Sequence, residues 1–139
     1  VSGLTGGLAV STFDFDIGFG ADILSFDRVS FGDPTLGDQL DPLNKSDSIT
    51  GFTKGYGVVN LFGISLYGPE ELMNSQKDEF IIAVLCFTAI GPGKTNLDID
   101  VQSIGDARAS SIVEQVKPVG ATIGVGAPPG VLILLLGDE

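Results

Sequence analysis

Asp78-Glu79-Phe80-Ile81-Ile82-Ala83-Val84-Leu85-Cys86-Phe87, then the break Gly91-Pro92-Gly93-Lys94, then Leu97-Asp98-Ile99-Asp100-Val101, is the stretch whose reading decides the fold. An unbroken apolar run of about eight residues, rich in β-branched and aromatic side chains and closed by Gly and Pro, reads as a strand covered on both faces. The segment after the break alternates. It puts Leu97, Ile99 and Val101 on one face and Asp98, Asp100 and Gln102 on the other, the pattern of a strand with one face in water. The pair reads as a central strand followed by a hairpin partner.

Working outward, a second alternation stands at the start of the chain. Phe13, Phe15, Ile17 and Phe19 interleave with Thr12, Asp14, Asp16 and Gly18, which predicts a half-buried strand with an aromatic face and an acidic face. Leu24, Phe26, Val29 and Phe31 follow after a tight bend, with a change of phase at Asp27 and Arg28 that reads as a bulge or turn. Tyr56 to Tyr67 carries Val58, Asn60, Phe62, Ile64 and Leu66 on one parity, another strand. The expected core is Phe13, Phe15, Ile17, Phe19, Leu24, Phe26, Phe62, Ile64, Ile81, Ala83, Leu85, Phe87, Leu97 and Ile99. Pro69 with Glu70 and Glu71 behind it marks the first turn of one short helix near 69–75. Gly32 to Gly55 is polar and aperiodic and reads as a long surface excursion. Ala107 to Val116 fits a strand or a short helix.

The composition agrees with an all-β chain. The 139 residues suit one domain, and 20 glycines and 7 prolines punctuate short apolar runs with no long stretch of period 3.6. The fold class is therefore an all-β, two-sheet β-sandwich. Residues 1–117 form the sandwich domain, residues 118–130, rich in Gly, Ala and Pro, form a linker, and residues 131–139 form an apolar C-terminal strand. Six apolar residues, Val131 to Leu136, are too few to cross a bilayer as a helix, so no transmembrane segment is expected. The chain opens at Val1 without a signal-type segment and reads as a processed product or a fragment.

Charge and missing residue types exclude several function classes. A net charge of −11 repels nucleic acid, which is not expected as a partner. With no histidine, the His-dependent triads and the usual zinc sites are absent. Cys86, the single cysteine, sits inside the apolar run and reads as a small buried hydrophobe. Acidic clusters are the one polar constellation left. Asp33, Asp38 and Asp41 are the candidate ligands for calcium, yet the DxDxDG spacing is missing, and a solvated acidic surface accounts for them equally simply. No other cofactor is expected. Glu70, Glu71 and the strand aspartates supply carboxylates in number, but nothing in their spacing sets up glycoside hydrolysis, and no enzyme is expected. Asn44-Lys45-Ser46 fits a glycosylation sequon. Gly91-Pro92-Gly93-Lys94 lacks the spacing of a phosphate loop and reads as a turn.

Phe13-Asp14-Phe15-Asp16-Ile17-Gly18-Phe19-Gly20-Ala21-Asp22-Ile23-Leu24-Ser25-Phe26, followed by Val29-Ser30-Phe31-Gly32, resembles the F-x-F-x-[IL]-x-[FY]-D-P-x-[IL]-L-x-F…G segment of cohesin-like domains, with Gly20-Ala21 where those read Asp-Pro. Phe80 to Asp100 is similar to the later strand, turn and strand of the same family. The likeness spans roughly residues 8 to 107 and points to the cohesin-like domains of exported bacterial PEP-CTERM-type proteins. It implies a nine-stranded jelly-roll, an extracellular or cell-surface bacterial location, and a structural or binding role without catalysis. The family carries an apolar strand ahead of the segment matching Ser2 to Gly7, so the resemblance implies a sandwich one strand short here. The tail from Ala127 to Gly137 resembles the start of a PEP-CTERM signal, without the Pro-Glu-Pro, the full hydrophobic span or the basic end.

Two functional expectations follow. The first is a structural module whose expected partner is itself: Val131, Leu132, Ile133, Leu134, Leu135 and Leu136, apolar on both parities, enter a neighbour by strand complementation and build a filament or matrix. Docking of the same strand within its own chain is the competing geometry. The alternative function is a monomeric extracellular module that binds a dockerin-like partner or a carbohydrate. The absence of Trp weighs against sugar.

Overall fold

In the computed structural model, residues 1, 2, 4 and 8–126 are described in full and residues 131–136 as backbone. β1 (Val10–Gly18) is the middle of the larger sheet. Its alternation does what the sequence predicts: Phe13 and Ile17 are buried, while Asp14 and Asp16 lie on the opposite face. β4 (Val58–Ser65) and β6 (Gly93–Asp106) flank β1, both antiparallel, with Phe15 opposite Leu61 on one side and Val101 on the other. β3 (Ser48–Gly55) and β7 (Ala121–Val125) close the sheet, in the order β3-β4-β1-β6-β7. A second sheet stacks β2 (Leu24–Phe31), β5 (Ala83–Ala89) and β8 (Val131–Leu136) in that order. Together they make an all-β sandwich of eight strands among the described residues.

The core lies between the sheets. Phe87, Leu85, Ile17, Leu61 and Leu97 are fully buried there, and each contributes roughly 1.5–3 kcal/mol by leaving water. Phe87 meets Phe19 and Phe26 in T-shaped contacts, at 5.1 and 5.8 Å between ring centroids. Cys86 is a buried free thiol, as its place in the apolar run implies.

The expected hairpin is corrected. β5 lies in the smaller sheet, between β2 and β8, and β6 lies in the larger one, so Gly91 to Gly93 is a corner between sheets. The two strands bury apolar side chains in the same core instead of sharing a ladder. Gly91 makes the corner tight, because a side chain there would strike the Asp22 carbonyl.

Three core positions also change places. In β4 the inward residues are Val59 and Leu61, both fully buried, and Phe62 and Ile64 face outward, 38% and 40% exposed. The inner face has no room at position 63, where a Cβ would overlap the Phe13 ring and Leu40, so a glycine takes the inward parity and the phenylalanine beside it turns out. Before β5, Phe80 and Ile82 are buried and Ile81 only half so, one parity away from the expectation.

Two stretches read as irregular are strands. Ser48–Gly55 pairs with β4 through every residue, from Ser48 opposite Ser65 to Gly55 opposite Val58, so the surface excursion ends at residue 47. Residues 118–130, expected as a linker, contain β7, which pairs with Gly93 to Leu97 of β6. Only 126–130 separate β7 from β8. Within 107–116 there is a bridge from Gly105 to Ser111 and a 3-10 turn over Val113–Gln115.

The helix α1 (Pro69–Ser75) begins with Pro at its first turn and Glu70 and Glu71 behind it, and buries Leu72 against Ala9 and Tyr67. The residue after it, Gln76, turns its buried side chain onto the start of β1.

Candidate interaction surfaces

The excursion from Gly32 to Asp47 is built on its aspartates. Asp33 Oδ1 accepts from the Thr35 and Leu36 N–H groups at 2.8 and 2.9 Å, and Oδ2 accepts from the Ile81 N–H at 2.9 Å. These bonds, that from Ile81 foremost, hold the Asp33 carboxyl below its ordinary value. Asp38 accepts from the Leu40 N–H and the Ser48 hydroxyl at 2.9 and 2.6 Å. Asp41 accepts from the Lys45 and Ser46 N–H groups and from the Tyr67 hydroxyl, the last at 2.6 Å. Partial burial of Asp41 works against its charge, but the Tyr67 hydroxyl and the backbone donors together hold its carboxyl low. The Tyr67 hydroxyl is pushed up, by burial first and by its bond to Asp41 second.

Each of the three calcium candidates thus organises its own turn, and the structure does not bring them together. Among the described residues no group of three or more acidic or sulfur side chains is placed to hold a metal. Asn44 and Ser46 of the sequon both hold positive φ, the price of the sharp turn around Asp41. Lys45 spans Glu71 with 2.7 and 2.8 Å contacts and lies over the Tyr67 ring, which ties the excursion to α1. Both partners of that ion pair are well exposed, so it contributes little to stability.

The outer face of the larger sheet divides in two. Toward β6 it is polar: the Asn60 amide donates to Asp14 at 2.5 Å and to Asp16 at 2.8 Å, and the Gln102 amide donates to Asp16 at 3.1 Å and Asp100 at 2.7 Å. Two side-chain amides therefore hold three carboxylates side by side. Toward β3 the face is apolar, with Phe62, Ile64, Ile49 and Leu66 exposed, the last two at 55% each. The sequence signalled the acidic half, through its alternation, and missed the apolar half, through the parity of β4.

At one end of the sandwich a shallow groove of about 340 Å³ opens between the β1–β2 bend and the β3–β4 turn. Phe19, Leu24 and Phe26 line it, with Lys54, Tyr56 and Ile90 around them, and Tyr56 is 92% exposed. The remaining surface is the edge of the smaller sheet. There β8 runs antiparallel to β5 of the same chain, from Val131 opposite Thr88 to Leu136 opposite Ala83. The six self-assembly candidates thus occupy one ladder, at an edge whose other side is open among the described residues.

Two sheets of this topology, with one short helix between strands, define a β-sandwich of the cohesin-like fold. A cohesin module from the family 33 glycoside hydrolase of Clostridium perfringens ATCC13124 is similar in structure, with a TM-score of 0.53 over 99% of this chain and 81% of that one. The two share 10% of their residues, so the likeness is one of fold. No family model matches the sequence, and no curated protein does.

Proposed function

We propose that this chain is a non-catalytic extracellular interaction module that assembles with its own copies by exchange of β8. The observation that carries this reading is the ladder between β8 and β5. All six residues of β8 are apolar, they pair along β5 without a register shift, and they are joined to the rest by 126–130 alone. Every copy offers the same β5 edge, so the pairing made within one chain can be made between two, and the covalent linker is what chooses. Extended, those five residues and their flanking bonds span roughly 17–20 Å. A linker this short, leaving a strand already fixed in the larger sheet, favours a neighbour held close and in one direction. Successive exchanges in one direction then build a filament.

A role without catalysis is supported by how the polar groups are used. The carboxylates of Asp33, Asp38 and Asp41 are engaged by backbone donors, Glu71 is engaged by Lys45, and histidine is absent. Location outside the cell is supported by the cohesin-like fold and by the tail's resemblance to an export sorting signal. No helix among the described residues is long and apolar enough to cross a membrane. A second reading, a monomer that binds another protein or a carbohydrate, draws on the groove beside the exposed Tyr56.

Native mass separates the two. Exchange predicts a ladder of masses in sedimentation that collapses when Leu134 is replaced by Lys in the β8 ladder. A single monomeric species at all concentrations, unchanged by that substitution, would leave the binding module as the reading.

A further inference from the structure

We infer that β3 is a second self-association edge, at which two copies pair antiparallel about a two-fold axis through Gly51. Of the four sheet edges, three suit such a pairing less well than β3. β2 is interrupted by a register shift between Phe26 and Arg28 and carries Asp27 and Arg28 there, devices that discourage a further strand. β7 has five residues, and β8, whose outer side is open too, has six and carries no charge that could pair with a second copy. β3 is the least protected: it runs eight residues without a shift, its single charge, Lys54, stands next to its end, and no strand lies beyond it among the described residues.

The hydrogen-bond phase leaves the right groups free. The Leu66 N–H donates to the Asp47 carbonyl at 2.8 Å, so the odd-numbered residues of this strand face β4. Ser48, Thr50, Phe52 and Lys54 therefore turn their N–H and C=O groups to the open side. A two-fold at Gly51 sets Thr50 opposite Phe52 of the second copy and Ser48 opposite its Lys54, which closes about eight main-chain hydrogen bonds.

Side chains fit the same axis. Gly51 has no side chain, and a Cβ there would overlap the Phe62 ring, so that ring lies across the strand at the axis. In the pair, two such rings approach each other over the two glycines, and Ile49 meets Thr53. On the other face, Lys54 lies opposite Ser48, whose hydroxyl holds the Asp38 carboxylate at 2.6 Å. Lys54 makes no ion pair among the described residues, and the pairing supplies one twice over. The electrostatics select this edge and a second copy as its occupant: in a chain of net charge −11, Ser48 to Gly55 contains no carboxylate.

One strand edge with its rings is smaller than the roughly 800 Å² per partner of a standard interface, so the contact is weak, with a dissociation constant on the order of 10–100 μM. It rests on β3 alone and stands whether or not β8 exchanges. Where both operate, β8 makes the chains and β3 joins them laterally.

The test is a register-specific cross-link in the full chain. With Cys86→Ala as background, the double variant Ile49→Cys, Thr53→Cys places thiols opposite each other only across this two-fold, and oxidation should give a covalent dimer held by two disulfides. Adding Lys54→Asp, at an exposed side chain, should slow that cross-link roughly tenfold, and adding Thr50→Pro, which removes an outward N–H, should abolish it. No cross-link at 500 μM protein, on the order of ten times the expected dissociation constant, or one indifferent to both added substitutions in folded protein, overturns the pairing. A cross-link that forms while β8 exchange fails would leave this contact standing and remove the filament.

Discussion

The side chain of Gln76 takes the place of a neighbouring strand for Val10: its Oε1 accepts from the Val10 N–H at 2.7 Å, and its Nε2 donates to the Val10 carbonyl at 2.8 Å. The same amide nitrogen donates to the Gln39 carbonyl at 2.9 Å, and the Gln39 side chain accepts from the Lys77 N–H at 2.8 Å. Two buried glutamines thereby join β1, the excursion and the end of α1. Gln76→Ala leaves three buried main-chain groups without partners and should cost about 3 kcal/mol or more, at about 1–3 kcal/mol per group. Gln76→Glu should be no milder, since a carboxylate can take the N–H but repels the two carbonyls. Urea melts of both variants check this, and a loss under about 1 kcal/mol for either would contradict it.

Acid sensitivity should come from the excursion. Asp33 and Asp41 are both held below the ordinary carboxylate value in the folded chain. A group depressed in this way contributes stability that is present above its unfolded value. That contribution is lost as pH falls below about 4 and on through the lower folded value. Asp33→Asn keeps one acceptor oxygen and loses the other, so it should destabilise the protein at neutral pH and flatten the fall in stability between about pH 4 and pH 2. An acid limb with unchanged slope in melts across that range would count against the assignment.

Calcium should leave the melt unmoved. The oxygens of Asp33, Asp38 and Asp41 are already used by N–H and O–H donors in separate turns. A cation bound to the folded state at a hundredfold excess over its dissociation constant would add about 2.7 kcal/mol. Thermal unfolding with millimolar calcium and with chelator should superimpose, and a stabilisation of that size would restore the sequence-based candidate.

Two glycines should respond oppositely to alanine. At Gly63 an added methyl overlaps the Phe13 ring and Leu40, whereas at Gly124 in β7 nothing lies within 4 Å. Gly63→Ala should cost about 1–3 kcal/mol through overpacking, and Gly124→Ala should be close to neutral. Equal effects in thermal melts would mean that the inward parity of β4 is wrong.

Much of the sandwich is legible along the chain because its strands carry one-sided patterns. β1 announces itself through Phe13 and Ile17 against Asp14 and Asp16, and α1 through Pro69. Which sheet a strand joins is a different kind of information. The alternation from Leu97 to Val101 is the same whether that strand pairs with β5 or packs on it, and only the corner at Gly91 decides. β3 left no period because it is an edge, with Ile49 and Phe52 half in water on opposite faces. The parity of β4 was hidden because both of its faces are apolar, and the space that settles it belongs to Phe13, far away in sequence. Gln39, Gln76 and Asn60, which knit the surfaces together, are single amides without a pattern to mark them.

Exchange of β8 is the central claim, and mixing two singly labelled chains tests it most directly. In the Cys86→Ala background, one chain carries Thr88→Cys and the other Val131→Cys, the two positions opposite each other in the β5–β8 ladder. Neither chain can close that disulfide within itself, so an 88–131 bridge forms only when the terminal strand of one copy lies on β5 of another. The account predicts rapid formation of the mixed dimer on oxidation at concentrations where the parent assembles. Chains that stay unlinked there, while a single chain carrying both substitutions closes its own bridge, would contradict it.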